Sequence, residues 1–141
     1  MATTRTATTI WNGTLFEGEG EVTLASSGIG SYPVSWPARA EEPGGKTSPE
    51  ELIAAAHSAC FSMALSNGLA KAGTPATRLE TTAEVDFLPG TGITGIRLHV
   101  VGEVPDLDAD GFEMAAEDAK ANCPVSQALR AVPITLTVGS A

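Results

Sequence analysis

The stretch Ser48-Pro49-Glu50-Glu51-Leu52-Ile53-Ala54-Ala55-Ala56-His57-Ser58-Ala59-Cys60-Phe61-Ser62-Met63-Ala64-Leu65 decides how the chain is organised. Ser48 stands as N-cap, Pro49 occupies the first helical position, and Glu51 follows the cap by three residues, where its side chain can bond back to it. The spacing predicts a helix from Pro49 to about Ala72, stopped by Gly73 and Pro75. Between Leu52 and Ala70 no residue carries a formal charge, and every face is apolar or small, so this helix is expected to be buried all round. The competing reading is a membrane span of 19 residues, which His57, Ser58, Ser62, Ser66, Asn67 and Gly68 dilute too far.

Upstream, Thr3 to about Arg39 alternates polar and apolar residues, with β-branched side chains and glycine punctuation. That pattern predicts two or three antiparallel strands, the last closed by Arg39, followed by a loop from Ala40 to Thr47. Downstream, strands are expected over Thr77–Phe87 and Ile93–Val104, joined by a turn through Pro89 and Gly90. In the first, Leu79, Thr81, Ala83, Val85 and Phe87 share one face. A helix beginning at Asp106 to Asp110, a short one over Val125–Arg130 opened by Pro124, and a strand over Pro133–Val138 complete the order. Strands, central helix, strands, helices and a last strand make an α+β chain, read as one domain over 1–141.

The chain has 141 residues and a formal charge of -9 with three lysines, which repels phosphate backbones and argues against nucleic-acid partners. The first ten residues hold no apolar run of signal-peptide length, so a cytoplasmic location is expected. Aromatic residues make up 5%, a composition that leaves a thin interior and favours oligomerisation.

Two cysteines, Cys60 and Cys123, are too few for a disulfide scaffold. Cys60 lies mid-helix, where the commoner reading is a buried small hydrophobe. An active Cys60 needs a cation from elsewhere, because burial raises a thiol's pKa and mid-helix positions lack the N-terminal partial charge. Arg39 is the most suggestive donor of that charge. Cys123 adjoins Pro124 at a helix start, where it either caps and packs or is held as a thiolate. Glu51 has the capping duty and Glu50 is free to serve a site. Ten residues of straight helix separate Glu50 from Cys60 by about 15 Å, so the two meet only across subunits or around a sharp bend. His57, three residues before Cys60, makes a Cys–His nucleophilic pair conceivable, although packing is its commoner duty. His57, Cys60, His99 and Cys123 match no common zinc spacing, and no phosphate-binding glycine loop is present, so neither metal nor cofactor is expected.

The segment Ser48–Leu65, together with Asn122-Cys123-Pro124-Val125-Ser126-Gln127, Trp11-Asn12-Gly13 and the Arg39 segment, closely resembles the OsmC/Ohr family of thiol-dependent peroxidases. His57 and the Cys-Pro-Val-Ser-Gln string place the resemblance nearest the OsmC branch. The resemblance implies antiparallel strands around a long buried central helix in an intertwined homodimer, and an antioxidant enzyme acting on organic hydroperoxides. It further implies Cys60 as peroxidatic cysteine, Cys123 as resolving cysteine, Arg39 and Glu50 as the pair that holds the thiolate ready, and an external dithiol as reductant. Two other classes fit the residues alone: a non-catalytic dimeric module binding an apolar ligand, and a Cys–His acyl hydrolase.

Overall fold

The computed structural model describes residues 1–140. The first strands, β1 (Thr8–Asn12), β2 (Glu19–Thr23) and β3 (Ser31–Val34), form an antiparallel three-stranded sheet in sequence order. The expected closure of the last strand by Arg39 is corrected here, because β3 ends at Val34 and Arg39 lies in a short helix, α1 (Trp36–Ala40). The reason is local: the Ser35 hydroxyl accepts from the Ala38 N–H at 3.2 Å, and Pro37 fits the first helical turn. Trp36 packs edge-on against Phe16, their centroids 5.5 Å apart.

The long helix α2 runs from Pro49 to Lys71. At its start the Glu51 N–H donates to the Ser48 hydroxyl at 3.1 Å, as the capping motif requires, but the Glu51 carboxylate accepts from the Thr47 hydroxyl at 2.6 Å. The expected return bond to the cap therefore goes one residue further back. At its end Thr74 N–H reaches Leu69 O and Gly73 N–H reaches Ala70 O, with Gly73 at φ +84°, the left-handed stop that glycine adopts without penalty.

Contacts within the chain gather into two compact units, Met1–Leu52 and Ile53–Ala141. The second contains a sheet ordered β4 (Arg78–Leu88), β5 (Gly92–Glu103), β6 (Ile134–Ser140). β4 and β5 pair antiparallel, with an irregularity between Asp86 and Phe87, and β6 lies parallel to β5. Between β5 and β6 the chain passes through α3 (Ala109–Asn122), capped by the Asp108 carboxylate on Gly111 N–H, and α4 (Pro124–Ala128). The second strand and the short helix are thus near their expected places, with α4 shorter than the range anticipated.

The core of this unit joins alternate residues of β5 (Ile96, Leu98, Val100) to Phe61, Leu65 and Leu69 of α2 and to Phe112, Ala116 and Ala119 of α3. α2 offers them one stripe at intervals of four residues, beginning at His57. All-round burial is not what the single chain shows: Ala55, Ala56, Ala59, Ser66 and Ala70 are exposed, and Met63 is 71% exposed. Charge-free composition gave no means of telling a stripe covered within the chain from a face left open. By length and composition α2 could cross a membrane, but its buried stripe is a seam of this core.

Candidate active site

Two clusters hold the residues singled out from sequence, one in each unit. In Ile53–Ala141 the cysteines come together. Cys123 ends α3 by donating its N–H to Ala119 O at 2.8 Å and begins α4, where its side chain makes no capping bond. Freed from that duty, the buried Cys123 thiol donates to the Cys60 sulfur at 3.0 Å. Cys60 is partly open to solvent. Burial pushes the Cys60 thiol above its ordinary value, and the Cys123 contact adds to the rise; the Val125 backbone N–H, donating to the same sulfur, works the other way. Within its own unit, then, Cys60 has a second sulfur in contact, while the balance of its surroundings opposes the thiolate.

His57 forms no pair with Cys60. Its Nε2 lies 2.7 Å from the Ser126 hydroxyl, and its Nδ1 is buried without a hydrogen-bond partner among the described residues. Burial lowers the His57 pKa from its ordinary 6.5, so the ring is neutral at pH 7. The linkage sign follows: the unfolded chain takes up this proton first as pH falls, so the contribution is whole above about pH 6.5 and is lost below it. The wild-type melting temperature is expected to drop between pH 7 and pH 5, and His57→Gln to show a smaller drop.

In Met1–Leu52 the structure joins Arg39 and Glu50. The guanidinium Nε donates to Oε1 at 3.0 Å and Nη2 donates to Oε2 at 3.0 Å, a two-pronged pair. Glu50 is 6% exposed, and so deeply placed a carboxylate needs this partner. Arg39 also edges an apolar groove of about 360 Å³ lined by Trp11, Leu15, Val34, Trp36 and Leu52. No group of three or more His, Cys, Asp or Glu suited to a metal ion occurs among the described residues.

Ser126 stands in the Cys-Pro-Val-Ser-Gln string, but the sequence assigns it no role. The available signal was spacing, since Ser126 follows Cys123 by three residues as Cys60 follows His57. Nothing in one dimension says that these two segments face each other.

A family model described as OsmC-like protein matches residues 42–137, more than half of the chain and inclusive of Glu50, His57, Cys60, Cys123 and Ser126. The chain belongs to the OsmC-like family. It is 44% identical over 124 residues to the Peroxiredoxin OsmC of Escherichia coli, covering 86% of each chain. Among solved structures it is similar to an organic hydroperoxide resistance protein OsmC from Legionella pneumophila, with TM-score 0.70, 28% identity, and coverage of 95% of this chain and 96% of the other. It is likewise similar to the organic hydroperoxide resistance protein OhrB of Bacillus subtilis, with TM-score 0.75, 26% identity, and coverage of 95% and 98%. These are mixed α+β folds of the OsmC and Ohr type, as the motifs implied. Arg39 falls just before the part matched by the family model.

Proposed function

We propose that the chain reduces organic hydroperoxides to alcohols with Cys60 as the oxidised thiol, Cys123 as the resolving thiol, and an external dithiol as the source of electrons. That the enzyme is a peroxidase follows from its kinship with Peroxiredoxin OsmC over most of its length. The observation that supports the finer mechanism is the 3.0 Å contact between the two sulfurs. In the first step the Cys60 thiolate attacks one peroxide oxygen, the O–O bond breaks, Cys60 becomes a sulfenic acid, and the alkoxide leaves and takes up a proton. In the second the Cys123 sulfur displaces water from that sulfenic acid and a disulfide forms. An external dithiol then exchanges with the disulfide, returning two thiols and leaving oxidised as its own disulfide.

The first step needs a cation, because the surroundings of Cys60 within its unit raise its thiol. Arg39, aligned by Glu50, is our assignment for that charge and for polarising the peroxide. Ten residues of α2 separate Glu50 from Cys60, so the reading includes a homodimer in which one copy's Arg39–Glu50 pair serves the other copy's cysteines. The exposed small-residue face of α2, with exposed Ile10, Phe16 and Ile29, supports burial against a second copy. We take the whole chain to act as one domain, and a cytoplasmic location fits a cycle that consumes dithiols.

The apolar groove beside Arg39 favours an alkyl chain over water in the substrate. With a dithiol supplied, kcat/KM for an aralkyl hydroperoxide is expected to exceed that for hydrogen peroxide by at least about tenfold, the scale of burying one or two methylene groups. Equal rates, or none, would contradict the substrate assignment. His57 is engaged by Ser126, so no feature of the geometry favours the acyl hydrolase.

A further inference from the structure

His57 is the largest polar side chain buried in the unit that holds the cysteines, and the chemistry above makes no use of it. Its partner Ser126 is 4% exposed, and both side chains are buried. The pairs form a regular pattern. His57 and Cys60 lie three residues apart on α2, Cys123 and Ser126 lie three apart at the start of α4, and the first residue of one segment meets the last of the other. The contacts are successive rungs of one antiparallel ladder between the two segments.

We propose that the His57–Ser126 hydrogen bond is a positioning rung that sets the register of the Cys123 segment on α2 and so governs how readily Cys60 and Cys123 close into a disulfide. α4 has five residues, too few for a helix to hold its own shape, so its placement depends on what its side chains grip. Val125 and Ser126 supply that grip on the α2 side, the one through its N–H on the Cys60 sulfur and the other through its hydroxyl on His57. Closing the bridge requires the sulfurs to move from 3.0 Å to about 2.05 Å with a restricted torsion, a geometry that a small slide of α4 would spoil. One His57 nitrogen already lacks a partner, so losing the Ser126 hydroxyl would strand the second in a buried site.

The test measures the pair without any peroxide. Equilibrating the protein with reduced and oxidised glutathione gives the effective concentration of the two thiols, since one glutathione disulfide accepts two electrons and two protons as Cys60 and Cys123 join. Ser126→Ala and His57→Asn are expected to lower it at least tenfold. His57→Gln, whose amide reaches the place of Nε2 where asparagine's does not, is expected to stay within threefold of wild type. In single turnover with an aralkyl hydroperoxide, Ser126→Ala should form the Cys60 sulfenic acid within twofold of the wild-type rate and close the disulfide at least tenfold more slowly.

Unchanged effective concentration in folded Ser126→Ala, or equal losses in His57→Gln and His57→Asn, would overturn the proposal. Equal slowing of both steps in Ser126→Ala would also overturn it, assigning the pair to the reactivity of Cys60 itself. Where Ser126→Ala does not fold, the comparison of glutamine with asparagine at position 57 decides alone. The inference rests on the two-cysteine reading above, yet its failure is separable. A wild-type chain that joins its thiols with glutathione but ignores hydroperoxide would sink the peroxidase cycle and leave the ladder standing.

Discussion

Cys60→Ser is expected to lower hydroperoxide turnover by at least about a thousandfold, the scale on which loss of a covalent nucleophile is felt. A serine hydroxyl fits the site in size, but it cannot become a sulfenic acid or carry a disulfide. Fold and assembly should survive, because Cys60 is only partly buried and the apolar stripe of α2 passes through Phe61, Leu65 and Leu69. Cys123→Ser should behave differently. Its first turnover is retained, and with no thiol at 3.0 Å to intercept the sulfenic acid, excess hydroperoxide carries Cys60 to the sulfinic state. Mass spectrometry of the two variants after peroxide checks both outcomes: no oxidation at position 60 in the first, two added oxygens in the second. Equal turnover by Cys60→Ser and wild type would remove Cys60 from the chemistry.

Arg39→Ala is expected to cost about a hundredfold in kcat/KM, with the pH profile displaced toward alkaline values. The sign follows from the local environment. Burial and the Cys123 contact already push the Cys60 thiol up, so withdrawing a cation assigned to its thiolate raises it further and leaves less nucleophile at neutral pH. One to two units of pKa correspond to about ten- to a hundredfold, and lost polarisation of the peroxide adds to that. Stability should fall too, by about 2 kcal/mol, because the Glu50 carboxylate is left buried without its partner. Arg39→Lys separates the two effects. It keeps a charge but cannot reproduce both prongs of the bond to Glu50, so its thiol should titrate between those of wild type and alanine. The rate of Cys60 alkylation as a function of pH checks this ordering. Identical profiles for wild type and alanine would remove Arg39 from thiolate activation.

Much of the architecture could be read from short-range chemistry. Ser48 and Pro49 mark where α2 begins, and Gly73 marks its end, because caps depend on neighbours within a few residues. The alternation through Leu79 to Phe87 and through Ile96 to Val100 exposed the hairpin for the same reason. The helix holding Arg39 was hidden although Ser35 and Pro37 announce it, since a five-residue helix inside an alternating stretch leaves no periodicity of its own. The parallel seat of β6 beside β5 depends on a crossover through α3 and α4. No local pattern encodes that neighbour.

The candidate site divides in the same way. Cys60, Cys123, Arg39 and Glu50 could be named as candidates because motif and chemistry single out each one. Their pairings were less legible: the approach of Cys123 to Cys60 crosses 63 positions of sequence, and the His57 partner Ser126 lies 69 positions away. A serine in the first turn of a short helix has no marked partner in sequence until the fold places an imidazole against it. The exposed flank of α2 is the reverse case. Its lack of charge was visible at once, whereas which side the single chain leaves open was set by where β5 and α3 pack.

The central claim is that Cys60 and Cys123 are a working redox pair. Its most direct test is a count of free thiols and an intact mass after about one equivalent of an aralkyl hydroperoxide is added to the reduced wild-type protein, a dose that stops at the disulfide. The account predicts loss of both thiols, a mass lower by about 2 Da from two departed hydrogens, and a peptide joining Cys60 to Cys123. Two thiols still titrating, with the mass unchanged, would contradict it.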